Sequence, residues 1–582
     1  MNRREFNQLL SAAMLAGIIP KTSLATPAKK PNYHIPLLGN VRLLHFTDSH
    51  AQLQPIYFRE PNINIGLHQA LNKTPHIVGE AFLSKNNLAN NSMQAHAFTH
   101  LNFNAAAREY GKVGGFAYLS RLIQSLRESA GGTENTLLLD GGDTWQGSAT
   151  AYWTRGQDMV MVSNLLGVDI MTGHWEFTYQ DNEVLENIKA FNGEFLAQNI
   201  NLSEEAMFDG KAAYDEDSGH VFKPYSIRNI NGQRIAIIGQ AFPYTPIANP
   251  KRFIPDWTFG INYQGLQALV DNIKVTEQPA AIILLSHNGM DVDLKLASLV
   301  TGIDFILGGH THDGVPNPMT IHNSGGQTVV TNAGSNGKFI ASLDLNISKG
   351  KLTRYEYRLL PVFSNYLKAD PTMQALIDDI RQPYLSELNE ELAISESLLY
   401  RRGNFNGTFD QLICDALRRE LNAHIALSPG FRWGTTVLPG QAISFEHVMD
   451  QTCITYPETY ARNMQGRDIK LILEDVADNL FHPDPFYQQG GDMVRVAGFN
   501  YHLDPLAVSG QRISNMRLDN GELIQANKSY KVAGWATVGA KSNGPPIWQV
   551  VANYLRDKKT IHIHQLNSPS LKGLANNAGF SP

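Results

Sequence analysis

Short apolar runs alternate with longer amphipathic stretches along residues 41–363 of this chain. The runs are rich in Val, Ile and Leu, and turn residues close several of them, as expected for buried strands. The stretches between them have helical periodicity, for example at residues 116–127 and 263–273. This alternation predicts an α/β fold whose sheets are covered on both faces. The predicted strands are residues 41–47, 136–139, 234–238, 281–285, 304–307 and 328–331.

The length of the chain favours more than one domain, since 582 residues exceed the usual size of a single domain. From Asp370 to about Ser395, a proline near the start (Pro371) and a mixed-charge face indicate a helix that could connect two domains. The last residues are rich in Ser, Asn, Gly and Pro, which is typical of a poorly ordered terminus. We predict a catalytic domain at residues 41–365, a linker helix at 366–395, a smaller C-terminal domain at 396–565 and a loose tail at 566–582.

The first residues have the order of an export signal. The pair Arg3-Arg4 precedes a modestly apolar run, and Ser23-Leu24-Ala25 supplies small residues suited to cleavage. We therefore predict a twin-arginine signal peptide at residues 1–25 and a mature protein in the periplasm. The apolar run is shorter than the ~20 residues that span a bilayer. No later segment has the composition of a membrane anchor, so no membrane association is expected.

Charge and cysteine content exclude several classes of protein. The formal net charge of −6 predicts neither nucleic-acid binding nor attraction to a membrane surface. The two cysteines, Cys414 and Cys453, rule out a disulfide-rich scaffold and a cysteine-based metal site. Two buried thiols are the favoured interpretation, and one disulfide in an oxidising compartment is the alternative.

Four polar clusters each follow one of the predicted strands directly along the chain. Ligands bind at the carboxyl ends of strands in open α/β sheets, so we expect these clusters to meet at one site. A scatter of surface histidines would not show this placement. The clusters are Asp48 with His50, Asp143, His287, and His310 with His312.

The residue types of these clusters fit a pair of divalent cations. Two cations held about 3.5–4 Å apart need a bridging carboxylate and several further ligands on each side. We assign the bridge to Asp143, because the two glycines before it allow a close approach of the backbone. All donors are nitrogen or oxygen, which favours manganese, zinc or iron over a soft metal. The other assignments are Asp48, His50 and His312 for one cation, and His174, His287 and His310 for the second.

The order of these motifs resembles the 5′-nucleotidase family of calcineurin-like metallophosphatases. The motifs are Asp48-Ser49-His50, Gly141-Gly142-Asp143, Gly173-His174-Trp175-Glu176-Phe177, Ser286-His287-Asn288 and Gly308-Gly309-His310-Thr311-His312. Within that family, the chain is similar to the SoxB thiosulfohydrolases of periplasmic sulfur oxidation. That closer similarity includes residues 47–55, 57–61, 173–179, 240–250 and 488–496, and the resemblance extends over residues 41–564.

The resemblance implies a metallophosphatase-type layered α/β sandwich followed by a smaller α+β C-terminal domain. It further implies a dinuclear hydrolase that typically uses manganese, with zinc as the alternative. The implied reaction releases sulfate from a cysteine-bound S-sulfonate (S-thiosulfonate) on a carrier protein of the SoxYZ type, during thiosulfate oxidation. We expect a monomer that binds no nucleic acid.

One motif departs from the nucleotidase pattern. Nucleotidases carry Gly-Asn-His-Glu-Phe-Asp, whereas this chain has His174 for Asn, Trp175 for His and Thr178 for Asp. Neither Trp nor Thr is a usable general acid near neutral pH. A persulfide leaving group is far less basic than an alkoxide and needs little protonation. The departure is therefore tolerable for a sulfur substrate and damaging for a nucleotide.

Three further residues are candidates for contact with substrate. Arg432 lies in a glycine-containing turn and is predicted to hold the anionic sulfonate, since arginine suits multi-oxygen anions, with a surface salt bridge as the alternative. Tyr179 is a candidate donor to a substrate oxygen, with core packing as the alternative. Trp175 is expected to line the substrate site and fill the volume of the missing His. We expect a groove between the domains with Arg432 on its far wall.

Two other functions remain open from the sequence. One is a periplasmic 5′-nucleotidase or cyclic-nucleotide phosphodiesterase that has lost its usual acid. The other is a non-catalytic module that its metals only stabilise. The seven candidate ligands argue against the second alternative, because a structural site does not need an open two-metal arrangement.

Overall fold

Two six-stranded sheets form the centre of the first part of the chain. The computed structural model describes residues 33–401, 403–539 and 541–581. The strands of the first sheet, in spatial order, are Lys351–Pro361, Phe339–Ser348, Val41–Phe46, Thr136–Asp140, Ile170–Met171 and Glu194–Phe195. Those of the second are Met319–Asn323, Gly326–Asn332, Phe305–Gly308, Ala281–Ser286, Gln233–Gln240 and Tyr225–Ile230.

The two sheets pack face to face, and the inner side chains of both belong to one buried cluster. Leu43 points into this cluster, whereas the next residue, Leu44, points to the opposite face and packs among helices. Ile283 and Ile282 divide in the same way in the second sheet. Successive side chains of a strand alternate between faces. Continuous apolar runs such as residues 281–285 therefore belong to strands that are buried on both sides.

Helices cover the outer faces of both sheets, which completes a four-layer sandwich. Between residues 33 and 299, the α-helices are Gly79–Lys85, Met93–Phe98, Phe103–Tyr110, Phe116–Ser129, Ala149–Thr154, Gln157–Leu166, Asp181–Ala190, Glu204–Phe208, Thr245–Ala248, Tyr263–Thr276 and Met290–Leu299. A separate two-stranded sheet pairs Ile200–Leu202 with Trp257–Phe259. Each of the six predicted strands is present, and the predicted α/β layering is confirmed.

Smaller sheets and longer helices make up the rest of the chain. A four-stranded sheet has the order Thr459–Gln465, Ser529–Trp535, Ile425–Ser428 and Arg495–Ala497. Two three-stranded sheets contain Ala442–Ser444, Glu391–Ser395 and Thr560–Ile561, and Ile513–Leu518, Phe499–Leu503 and Ser570–Leu571. The helices are Pro371–Arg381, Leu385–Leu388, Thr408–Glu420, Phe445–Thr452, Gly466–Phe481 and Ile547–Lys558.

The structure corrects two expectations about the second half. The predicted helix at residues 366–395 is shorter, since the α-helix is Pro371–Arg381 and Glu391–Ser395 is a strand. Pro383 cannot donate a backbone hydrogen bond, so the helix does not continue regularly through it. The tail at 566–582 is not loose over its described part: Ser570–Leu571 is a strand, and backbone hydrogen bonds join residues 578–581 to residues 62–78.

Other expectations have different outcomes. The predicted signal peptide at residues 1–25 lies outside the described residues. Tyr33–Pro582 form one unit of contacts, and the domain boundaries at 365 and 395 stay predictions. Cys414 and Cys453 are both buried free thiols. Among the described residues, the helices are all too short or too polar to cross a bilayer.

Candidate metal centre

The candidate ligands lie at the carboxyl ends of neighbouring parallel strands. Val41–Phe46 and Thr136–Asp140 are parallel, with Phe46 beside Asp140, so the loops carrying Asp48 and Asp143 leave the sheet together. In the second sheet, Ala281–Ser286 and Phe305–Gly308 are parallel, with Ser286 beside Gly308. Since the two sheets pack face to face, all these loops reach the same edge of the sandwich.

The structure brings all seven predicted metal ligands together, and every one of them is buried. Their ligand atoms form two groups, within each of which all atoms lie no more than 4.8 Å apart. Asp143 belongs to both groups and so has the position that a bridging ligand requires. One group is Asp143, His174, His287 and His310, and the other is Asp48, His50, Asp143 and His312.

The backbone at this site is held in an unusual conformation. Five of the seven candidate ligands have positive φ angles, a region that non-glycine residues seldom adopt. The angles are 52° at Asp48, 48° at His50, 58° at Asp143, 69° at His310 and 60° at His312. Such conformations persist only where the surrounding structure enforces them, and they cluster at functional sites.

Hydrogen bonds to main-chain atoms fix the orientation of the ligands. The Nδ1 atom of His287 lies 2.6 Å from the carbonyl oxygen of Gly141. A carbonyl can only accept, so Nδ1 carries the hydrogen and Nε2 is left to bind a cation. The carboxylate of Asp48 accepts from the backbone N–H of His310 at 3.0–3.1 Å. These bonds join loops from both sheets.

Sequence reasoning gave no role to Glu176, yet this buried carboxylate organises the centre. It accepts backbone N–H groups from Asp143 at 3.3 Å, Thr144 at 2.7 Å, Trp145 at 3.2 Å and His174 at 2.8 Å. It therefore holds the loops of two candidate ligands in register. The sequence signal that points to this role is the position of Glu176, an acidic residue two positions after the candidate ligand His174 in the same motif.

The electrostatics of the centre favour bound cations. Burial lowers the pKa of His50 to about 4 and, together with His174 and Arg432, holds that of His310 well below its ordinary range. Burial would also lower the pKa of His287, but the Asp143 and Asp48 carboxylates outweigh it and raise that pKa to about 10. The buried carboxylates thus draw positive charge into the site, and neutral imidazoles supply the lone pairs that a metal needs.

The donor set fits a pair of divalent metal ions. The Nε2 atoms of His174 and His310 are buried without a hydrogen-bond partner among the described residues, a costly state unless another group binds them. Nitrogen and oxygen donors suit manganese, zinc or iron. The fold and these two groups therefore imply divalent metals.

A cavity of about 320 Å³ opens beside the ligands. Its wall includes His50, Asp143, His174, His310 and His312, together with Trp175 and Arg432, and it extends to the exposed side chain of Ile247. The ring of Phe242, which sequence reasoning did not select, lies with its centroid 4.1 Å from those of both His174 and His310. Its apolar face confines the two imidazoles.

Arg432 and Trp175 both line this cavity, one with a positive charge and the other with an aromatic ring. The Arg432 guanidinium donates to the Gly491 carbonyl oxygen at 2.9 Å and lies 3.4 Å from both the Asp492 carboxylate and the His310 carbonyl oxygen. Trp175 packs edge-on against Phe431 and Trp433, with ring centroids 5.5 and 5.2 Å away. The cavity thus combines a cation with an aromatic wall.

The structure does not bring Tyr179 to the cavity. Its hydroxyl donates to the carbonyl oxygens of Trp145 and Ala151, at 2.9 and 3.1 Å, in the core on the outer side of the first sheet. Its placement fits the packing alternative and not a catalytic role. Thr178, at the position of the nucleotidase Asp, has its hydroxyl 2.6 Å from that of Thr455.

Comparison with known proteins gives the same architecture. The model of the 5′-nucleotidase C-terminal domain matches residues 394–551. The solved sulfate thiohydrolase SoxB of Thermus thermophilus, in complex with glycerol, is 35% identical and superimposes with a TM-score of 0.86, covering 93% of this chain and 98% of that one. A 5′-nucleotidase precursor, also from Thermus thermophilus, is 20% identical, with a TM-score of 0.71, and covers 91% and 99% of the two chains. At that identity it supports the fold alone.

Curated relatives are more distant. The trifunctional nucleotide phosphoesterase YfkN of Bacillus subtilis is 25% identical over 470 residues, which are 73% of this chain and 31% of that protein. The venom 5′-nucleotidase of Naja atra is 26% identical over 345 residues, or 55% and 62% of the two chains. The aligned regions thus cover less than two thirds of these relatives.

Proposed function

This chain belongs to the SoxB family within the 5′-nucleotidases, and on that basis we propose that it releases sulfate from a cysteine-bound S-thiosulfonate, Cys–S–S–SO3−, on a carrier protein. Water attacks the sulfonate sulfur, the sulfur–sulfur bond breaks, and the products are sulfate and a persulfide on the carrier. The observation that carries the proposal is the composition of the cavity. It joins five of the seven candidate ligands to Arg432, while Trp175 replaces the imidazole on which nucleotidases rely.

The absence of a general acid at Trp175 favours a leaving group that does not need a proton. The indole of Trp175 cannot deliver a proton near neutral pH, and Thr178 is engaged with Thr455. A persulfide leaves readily without protonation, whereas the alkoxide of a nucleotide does not. The cavity is therefore matched to the sulfur substrate better than to a phosphoester.

The residues of the chain have separate tasks in the proposed reaction. The seven ligands would hold two divalent ions, which when bound acidify water and neutralise the developing negative charge. Arg432 holds the sulfonate oxygens, because its planar guanidinium donates to two oxygens at once. Trp175 and Phe242 exclude water from around the reacting group and leave the charges unscreened.

The carrier, the compartment and the oligomeric state are parts of the same proposal. A cavity that extends to the exposed Ile247 admits an extended segment of a partner chain more readily than a closed pocket would. We propose that the carrier is of the SoxYZ type and that the reaction takes place in the periplasm. We propose that a monomer performs the reaction with manganese, zinc being the alternative.

The test is a product assay with the metal-loaded mature protein. A carrier with an S-thiosulfonated cysteine and a nucleoside monophosphate are offered in parallel, and sulfate and phosphate are measured. We expect sulfate release that falls more than about 100-fold in Asp143→Ala, because changing even an outer partner of a metal ligand costs roughly 10–100-fold. Asp158→Asn, a buried carboxylate outside both ligand groups, is the control. Rapid phosphate release without sulfate would instead establish a nucleotidase.

A further inference from the structure

A continuous chain of ion pairs runs from Arg432 into the interior of the C-terminal half. The Asp492 carboxylate lies 3.4 Å from Nε of Arg432 and 3.1 Å from a terminal nitrogen of Arg495. The Arg495 Nε atom is 3.4 Å from the Asp410 carboxylate, which also accepts from Nε of Arg401 at 2.8 Å. The other four members of this series of ion pairs are each at most 4% exposed: Asp492, Arg495, Asp410 and Arg401.

Arg401, at the far end of this series of ion pairs, contacts the loop that carries Arg432. Arg401 donates to the carbonyl oxygen of Pro429 at 3.2 Å, and its guanidinium lies 5.7 Å from the ring centre of Phe431. Residues 429–432 are therefore braced twice, once at the guanidinium of Arg432 and once at the backbone and ring before it. Strand pairing fixes the spacing, since Ser428 and Arg495 are partners in adjacent strands.

Stability alone is a poor explanation for such a network. Removing charges from water costs several kcal/mol per ion, so buried ion pairs are often no more stabilising than apolar residues of similar size. Three arginines face two aspartates here, which leaves one positive charge in excess. That charge borders the cavity at Arg432, where the proposed substrate carries its negative charge.

We propose that Asp492 is a positioning residue that fixes the Arg432 guanidinium for binding of a sulfonate or sulfate anion, with Arg495, Asp410 and Arg401 holding Asp492 in place. This inference rests on the proposed role of Arg432. A free arginine side chain has many rotamers, and ordering it on binding costs free energy. A carboxylate that holds Nε fixes the side chain in advance and leaves terminal N–H groups for the anion.

The experiment measures anion affinity apart from turnover. Inorganic sulfate is titrated into the metal-loaded protein, and binding is followed by tryptophan fluorescence, because Trp175 and Trp433 line the cavity. We expect Asp492→Asn to weaken sulfate binding about tenfold, the ratio that corresponds to one charge-assisted hydrogen bond. Asp519→Asn, which breaks an Asp–Arg pair with Arg418 elsewhere in this half, is the matched control.

A double-mutant cycle separates positioning from a general structural effect. If Asp492 acts through Arg432, Asp492→Asn causes no further loss of sulfate affinity in an Arg432→Met background. Losses that multiply would overturn the inference, as would wild-type affinity in Asp492→Asn. Asp492→Glu keeps the charge that Arg495 requires and covers the case in which the Asn variant does not fold. It should bind sulfate more weakly than wild type with an unchanged melting midpoint, and wild-type affinity would again contradict the inference.

Failure of the proposed function has a different signature. If the wild type releases no sulfate from the S-thiosulfonated carrier but binds inorganic sulfate in an Asp492-dependent way, the positioning role stands and the substrate is wrong. If the carrier is processed normally in Asp492→Asn, the proposed function stands and the positioning role is wrong.

Discussion

At the scale of single residues, Glu176 links the loops that carry Asp143 and His174 through its four backbone N–H contacts. Glu176→Gln replaces one acceptor oxygen by an NH₂ group that cannot accept. We expect metal affinity to fall roughly 10–100-fold, the usual effect of changing an outer partner of a ligand. The measurement is metal binding by competition with a chelator of known affinity.

The control for Glu176→Gln is the same substitution at Glu183, an exposed carboxylate seven residues later in the sequence. Glu183→Gln loses only an ion pair with Arg155 at the surface, so it should leave metal affinity unchanged. Equal metal affinities in Glu176→Gln and the wild type would refute the organising role of this carboxylate.

At the scale of elements, one ion pair ties the segment before helix Gly79–Lys85 to helix Met290–Leu299. His76 Nε2 lies 2.8 Å from the Asp291 carboxylate, and His76 Nδ1 lies 3.2 Å from the Asn64 side-chain oxygen. Burial would lower the pKa of His76, but Asp291 outweighs it and raises that pKa. Burial would raise the pKa of Asp291, and His76 reverses this and lowers it.

These shifts predict a pH-dependent contribution to stability. The His76 part is complete below the ordinary histidine pKa of about 6.5 and is lost as pH rises through the raised value, while the Asp291 part is lost in acid below about pH 4. His76→Asn should therefore lower the free energy of unfolding by about 1–3 kcal/mol near pH 5.5 and by less near pH 9. Denaturant unfolding at both pH values measures this. The exposed His68→Asn is the control, and a pH-independent loss in His76→Asn would contradict the assignment.

At the scale of the whole molecule, the two halves of the chain share buried polar contacts. Gln146 donates to the Cys453 carbonyl oxygen at 2.7 Å, and the Cys453 thiol donates to the Ser148 carbonyl oxygen at 3.2 Å. Thr178 and Thr455 are joined by their hydroxyls. Breaking these contacts exposes groups buried in both halves, so we expect the halves to unfold together.

Metal removal tests this coupling. Ligands that bind only the folded state stabilise it by about 2.7 kcal/mol at a concentration of 100 times Kd. A chelator should therefore shift one cooperative calorimetric transition to lower temperature, and the same chelator should leave Asp143→Ala unchanged. Two resolved transitions, of which only the first responds to chelator, would show that the halves unfold independently.

Much of the fold could be predicted because strands buried on both faces have a signature that needs no tertiary information. The run at residues 281–285 is apolar throughout, and its two faces meet different layers. Two predictions were wrong: a helix throughout residues 366–395 and a loose tail from residue 566. Glu391–Ser395 is a strand because it pairs with Ala442–Ser444, and the tail is ordered because residues 62–78 accept and donate its backbone hydrogen bonds. Partners this far away along the chain leave no local pattern.

The sequence by itself determined which residues could form a dinuclear centre, because ligand chemistry depends on residue type and strand ends are local features. It also determined, through Trp175 and Thr178, that the usual acid is missing. Only the tertiary structure decided that Tyr179 packs in the core, that Glu176 organises the ligand loops, and that Asp492 meets Arg432. Those roles depend on distances between side chains far apart in sequence, and such distances are set by how the layers pack.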